Sequence, residues 1–188
     1  DAVRRRARAI ASGSVTGSAV GGAAPGSVVT TPSRHLGIAA ASLLFRWHIC
    51  GWLTCPVDLI ECRPADIEAL TAFLGGVDLT LSGLAAPGVR LWAERDEKGD
   101  VVASAGYELS GDGHHALIRS VAVSQAGRRR GRGSALARCA LERAEAEGAT
   151  TAWLFSRRSG PFWQSLGFQP ADRDELAGVL ADTHQVRL

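Results

Sequence analysis

Lysine and tyrosine occur once each in this 188-residue chain, as Lys98 and Tyr107, and cysteine occurs four times. Cys50, Cys55, Cys62 and Cys139 include no CxxC and no Cys/His pair at zinc spacing, which argues against a structural zinc site and a disulfide framework. Three thiols near one another (Cys50, Cys55, Cys62) suit a soft metal such as trivalent arsenic only weakly, because their spacing is unspecific. A chain kept reduced inside the cell, in the cytoplasm, is the expectation. Strong charge of one sign is also missing: the net charge is +2, which gives no general ground for a nucleic-acid partner. No long uncharged apolar run is present either. Residues 36–60 are the most apolar stretch, but Arg46 and His48 interrupt it, so neither flank reaches the ~18 residues of a membrane span.

What the chain does have is an ordinary soluble composition, 46% hydrophobic and 21% charged, which suits one domain with one core. Its charge is unevenly spread. Residues 1–57 carry six arginines and one acid, Asp1, whereas residues 58–188 are mildly acidic. Residues 1–35 are small, polar and glycine-rich with no hydrophobic period, so they cannot offset their ordering entropy and are expected to be disordered. An Arg- and Ser-rich stretch of this kind also resembles a transit peptide, though a linker or non-native sequence suits it better. Residues 36–57 read as a short amphipathic helix or as part of that extension. The expected domain runs from 58 to 188, with 1–57 as an N-terminal extension.

Within the domain, Leu59–Arg63 reads as a strand, and Pro64-Ala65-Asp66 opens a helix with Ile67, Leu70, Phe73 and Leu74 on one face, ended by Gly75-Gly76. Val77–Leu84 reads as a second, weaker helix. Three hairpin-linked strands follow: Arg90–Glu94, Val101–Leu109 and Ala116–Val123, joined by DEKGD and by Gly111-Asp112-Gly113. A long helix spans about Gly133 to Glu147, then come the apolar strand Thr150–Phe155 and a short helix Gly160–Leu166. Asp172 with Glu175 three residues on looks like a capping box, and Gln185–Leu188 reads as the start of a last strand, truncated here. Antiparallel hairpins followed by a crossover helix give a mixed sheet in an α+β domain.

The segment Val121–Leu136 (VAVSQAGRRRGRGSAL) carries the chemistry. A strand runs into a loop containing Arg128, Gly131 and Gly133, and a helix starts at once. Consecutive backbone N–H groups in such a turn, with those of the first helical turn, make an anion cradle. A side chain at 131 or 133 would hold phosphate oxygens away from the amides. The spacing fits neither the Walker loop nor the dinucleotide fingerprint.

Arg128-Arg129-Arg130-Gly131-Arg132-Gly133 satisfies (Q/R)xxGx(G/A), and it follows Val121-Ala122-Val123 at the required distance. With Leu59–Asp66 (LIECRPAD) and Phe162–Phe168 (FWQSLGF) in matching order, residues 59–188 resemble the GCN5-related N-acetyltransferases, the GNAT superfamily. Leu117–Val123 (LIRSVAV) and Asp172-Arg173 also resemble acetyltransferases of arsenic-resistance operons. The resemblance implies a central mixed, mostly antiparallel sheet with helices on both faces, splayed at the acetyl-CoA site. It further implies acetyl-CoA as cosubstrate, no metal, and direct transfer to the amine of a small molecule, for instance an amino-acid-like toxin.

Under that resemblance, Arg128, Arg129, Arg130, Gly131, Arg132, Gly133 and Ser134 hold the diphosphate, and the backbone of Val121, Ala122 and Val123 pairs with the pantetheine arm. The Val121 N–H would stabilise the thioester oxyanion. The family's pattern is incomplete here. Leu117 stands where histone-type members keep a glutamate, leaving Glu108 as the nearest candidate base, with His114 and His115 behind it. Trp163 stands where a tyrosine acid is usual. Arg119 either grips an acceptor carboxylate, or pairs with Glu108 or Glu94 and never touches substrate. The expected protein is a monomer or homodimer that binds neither nucleic acid nor membrane. A non-catalytic acyl-CoA-binding module is the alternative, and an arginine-tail nucleic-acid binder a third.

Overall fold

The computed structural model describes residues 43–49, 55, 57–128 and 131–187. The expected disordered tail 1–35, and Arg129 and Arg130, lie outside the described residues. The described strands are β1 (Leu43–His48), β2 (Ile60–Glu61), β3 (Val89–Arg95), β4 (Val101–Leu109), β5 (His115–Val123), β6 (Thr151–Ser156) and β7 (Gln169–Pro170). The helices are α1 (Ile67–Gly76), α2 (Arg132–Ala146), α3 (Gly160–Ser165), α4 (Arg173–Val179) and α5 (His184–Arg187). The strands form one sheet in the order β2-β3-β4-β5-β6-β1-β7. Every neighbouring pair is antiparallel except β5 and β6, whose parallel pairing requires the crossover that α2 supplies. The mixed, mostly antiparallel α+β architecture expected from the sequence is the one found.

Helices cover both sheet faces. On one, Leu136, Ala140, Leu141 and Ala144 of α2 pack with Ala103, Ala105 and Tyr107 of β4, and with Trp163 of α3, Phe45 and Leu154. On the other, Leu70 and Leu74 of α1 pack on Leu91 and Ala122, while Leu176, Leu180 and Val186 pack on Leu44, Leu117 and Trp153. Tyr107 is fully buried, and its hydroxyl donates to Glu147 Oε1 at 2.5 Å. Burial, with help from that carboxylate, pushes the phenol far above its ordinary range, so Tyr107 keeps its proton.

Four expectations need correction. Leu43–His48 lies inside the sheet, ahead of the boundary expected near Asp58, because the run is buried on both faces: Leu44 joins one core and Phe45 the other. It is neither an amphipathic helix nor an appendage. Val77–Leu84 is a series of turns rather than a helix; Asp78 and Gly83 take left-handed backbone angles (φ 58° and 65°) that interrupt any helical run. His184–Arg187 is a helical turn, not a strand, and the sheet position beside β6 is filled by β1. Finally, Cys55 is disulfide-bonded to Cys139 of α2, against the expected reduced state. The two cysteines are 84 residues apart in sequence, and spacing alone cannot reveal such a pairing.

Candidate acyl-transfer site

The site begins with a break in strand alternation. Ser104 pairs with Ala122 and Gly106 with Arg119, so Ala105 alone faces both Ser120 and Val121. This is a β-bulge in β5, with Ser120 at φ 56°. The bulge reverses which residues face α2: Ala116 and Ile118 do so before it, Val121 and Val123 after it. Arg119 therefore shares a face with Leu117 and Ala122. Uninterrupted alternation would put Arg119 in one row with Leu117, Val121 and Val123; the bulge moves Val121 and Val123 to the other face.

β5 pairs with β6 only through His115–Thr151, Ala116–Ala152 and Leu117–Trp153. Beyond Leu117 the two strands part, and a cavity of about 460 Å³ is bordered by Val121, Ala122 and Val123 of β5 and by Ser159, Phe162 and Trp163 at α3. Arg128 and Gly133 line its α2 end, and Val77 and Leu79 of the α1–β3 turns line the α1 end. The opening thus passes from one sheet face to the other.

At the α2 end, Gly131 is the N-cap in the left-handed region (φ 82°), and no side chain caps the helix. The first-turn N–H groups of Arg132, Gly133 and Ser134 consequently have no intrahelical acceptors and carry the positive end of the helix dipole. A Cβ on Gly131 would meet nothing within 4 Å, so its backbone angle, not crowding, calls for glycine. Arg128 is exposed and borders the cavity. Arg132 is already engaged: it pairs with Glu94 at 2.5 Å and donates to the Gly127 carbonyl at 3.2 Å, bracing the loop instead of presenting charge.

The two expected catalytic side chains are elsewhere. Glu108 and Arg119 pair at 3.3 Å with side chains only 5% and 3% exposed, and neither lines the cavity. Arg119 also donates to the Ser82 carbonyl, and Glu108 Oε1 accepts the His184 N–H. Burial lowers the Arg119 guanidinium pKa, and Glu108 opposes that effect. The pair locks the α1–β3 turns and α5 to the central strands. His115, one of the two histidines expected behind Glu108, accepts from Trp153 Nε1 at 3.2 Å, at the end of β5 remote from the bulge. Trp163 does border the cavity, and its Nε1–H donates to Ser159 Oγ at 3.1 Å.

Sequence reasoning missed Ser159, Val77 and Leu79. Ser159 precedes a Gly-Pro helix start without motif spacing, and Val77 and Leu79 read as a helix face. The disulfide removes Cys55 from any three-thiol metal set, and burial pushes the Cys62 thiol up to about 11. No group of three or more metal-ligating side chains occurs among the described residues.

The family described as "Acetyltransferase (GNAT) family" matches residues 76–168, which spans β3 to α3 and includes the bulge, the parting strands and the α2 cradle. No curated protein matches the chain. Among solved structures, an acetyltransferase of the GNAT family from Novosphingobium aromaticivorans is similar at 19% identity and TM-score 0.56, over 69% of this chain and 60% of that one. A GCN5-related N-acetyltransferase from Kribbella flavida gives 23% identity and TM-score 0.53, over 70% and 55%. The chain therefore spans little more than half the length of these two relatives. Rv2747 from Mycobacterium tuberculosis, solved with CoA and a second ligand, gives 18% identity and TM-score 0.53, over 68% and 83%.

Proposed function

We infer that the chain, whose residues 76–168 match the acetyltransferase (GNAT) family, transfers an acetyl group from acetyl-CoA directly to the amine of a small molecule. The observation that carries this reading is the cavity where β5 and β6 part, with an uncapped helix N-terminus at one end. The first-turn amides of α2 with Gly131, Gly133 and Ser134 would hold the diphosphate, and Arg128 would add charge. Arg129 and Arg130 belong to the same proposed cradle. Val121, Ala122 and Val123 offer strand edge to the pantetheine arm, because β6 has left their side of the sheet. The Val121 N–H, at the bulge, would stabilise the thioester oxyanion. A CoA-bound solved structure of the same fold supports the cosubstrate.

Arg119, the residue offered as a carboxylate grip for an amino-acid-like acceptor, is held by Glu108 and does not line the cavity. The narrower likeness to arsenic-operon enzymes rests on Leu117–Val123 and Asp172-Arg173 alone. A cytoplasmic location was drawn from unpaired cysteines, and the Cys55–Cys139 bond weakens that ground. Among the described residues, no helix is long and apolar enough to cross a membrane.

Calorimetric titration with acetyl-CoA tests the reading. Binding, with CoA thiol released when amines are added, is expected. Binding with no release from any amine would favour the non-catalytic acyl-CoA module, and no binding to folded protein would end both readings.

A further inference from the structure

We propose that the acceptor is a neutral amine on an apolar frame, an alkyl or aralkyl amine, bound at the α1 end of the cavity between Val77, Leu79 and Trp163. This rests on the acetyl-transfer reading and adds to it the acceptor's chemical class.

If the diphosphate lies at the α2 end, the acceptor must enter from the other, where Val77 and Leu79 form the wall. Among the described residues, no carboxylate and no histidine line the cavity, and its polar side chains are Arg128 and Ser159. Arg128 stands beside the proposed diphosphate cradle, which leaves no cation among the described lining residues at the acceptor end for a carboxylate. An ammonium group there would lose water without gaining a counter-charge, a heavy desolvation cost. Nearby charges are committed to partners. Asp78, between the two wall residues, pairs with Arg157 at 3.3 Å and Arg158 at 3.1 Å on the outer surface. Glu108 holds Arg119, and Glu94 holds Arg132. Polyamines and amino acids therefore fit poorly, whereas a hydrocarbon body fits the apolar wall.

The reaction follows directly. The lone pair of the free amine attacks the thioester carbonyl, a C–N bond forms and the C–S bond breaks. The products are the N-acetyl amine and CoA, with the nitrogen's proton passing to the departing sulfur through water or Ser159. Because none of the described lining side chains can take a proton from an ammonium, the amine must lose it before binding. Activity should then rise with pH up to the acceptor's own pKa, not to that of a group on the protein.

The test uses the full chain with acetyl-CoA and three sets of acceptors: ring-substituted benzylamines of graded basicity, amino acids such as glutamate, and spermidine. Benzylamines are expected to be acetylated with kcat/KM at least tenfold above the others, and their pH profiles to shift with each amine's basicity. Leu79→Asp should raise the benzylamine KM about tenfold or more while acetyl-CoA affinity by calorimetry is unchanged. Leu79→Ala should give a smaller loss in the same direction, so the result does not hang on one variant folding. Preference for glutamate or spermidine, one pH midpoint common to all amines, or an unchanged KM in both variants would overturn the proposal. In those cases acetyl-CoA binding persists, whereas failure of the underlying reading appears as loss of that binding itself.

Discussion

Arg119 shows how a charged side chain can be held in the middle of a sheet by partners of its own. It is buried, paired with Glu108 and hydrogen-bonded to the Ser82 carbonyl, while its Nε lacks a partner. Removing one member of such a pair strands the other's charge. Arg119→Ala should therefore cost about 3–5 kcal/mol in urea unfolding. The double change Arg119→Met with Glu108→Leu should cost clearly less, because it leaves no unpaired charge. If Arg119 instead gripped substrate, the single variant would keep its stability and lose acceptor turnover.

The bulge in β5 does at the level of an element what no single side chain does. By placing two residues opposite Ala105, it turns Val121 and Val123 toward α2 and lets β5 leave β6. Ser120 has the strained angle there, and its hydroxyl has no hydrogen-bond partner, so its side chain contributes little to the turn. Ser120→Gly should thus leave stability unchanged or slightly raised. Ser120→Val, with a β-branched side chain at positive φ, should cost about 1–2 kcal/mol by chemical denaturation and weaken acetyl-CoA binding. Equal stability of the two variants would count against the bulge as described. The helix that follows shows the same economy: its cradle depends on Gly131 adopting φ 82° and on Arg132 bracing Gly127, not on a capping side chain.

For the molecule as a whole, the Cys55–Cys139 bond joins the segment after β1 to the helix that carries the cradle. A bond between residues so distant in sequence restricts the unfolded chain strongly, so reduction should cost about 2–5 kcal/mol. Calorimetric melting with and without reductant, alongside thiol counting, would show this as a lower Tm once two more thiols become titratable. An unchanged Tm with those thiols freed would deny the bond a role in stability. β1 contributes in a second way, since it fills the sheet between β6 and β7 and buries Leu44 and Phe45 on opposite faces.

The sequence alone determined what depends on near neighbours. The glycine loop running into α2, the hairpins β3–β4–β5 and the Asp172 cap all follow from residues within a few positions of one another, where backbone geometry and hydrogen bonding are local. The short motif FWQSLGF also contains Trp163, which borders the cavity. Tertiary structure decided whatever depends on residues far apart. A step of alternation lost at Ser120 put Val121 and Val123 on the face opposite Arg119, and an apolar stretch read as an extension became an inner strand between β6 and β7. Val77 and Leu79, expected on a helix, became the cavity wall. In each case the deciding energy comes from burial against distant partners, which local pattern does not encode.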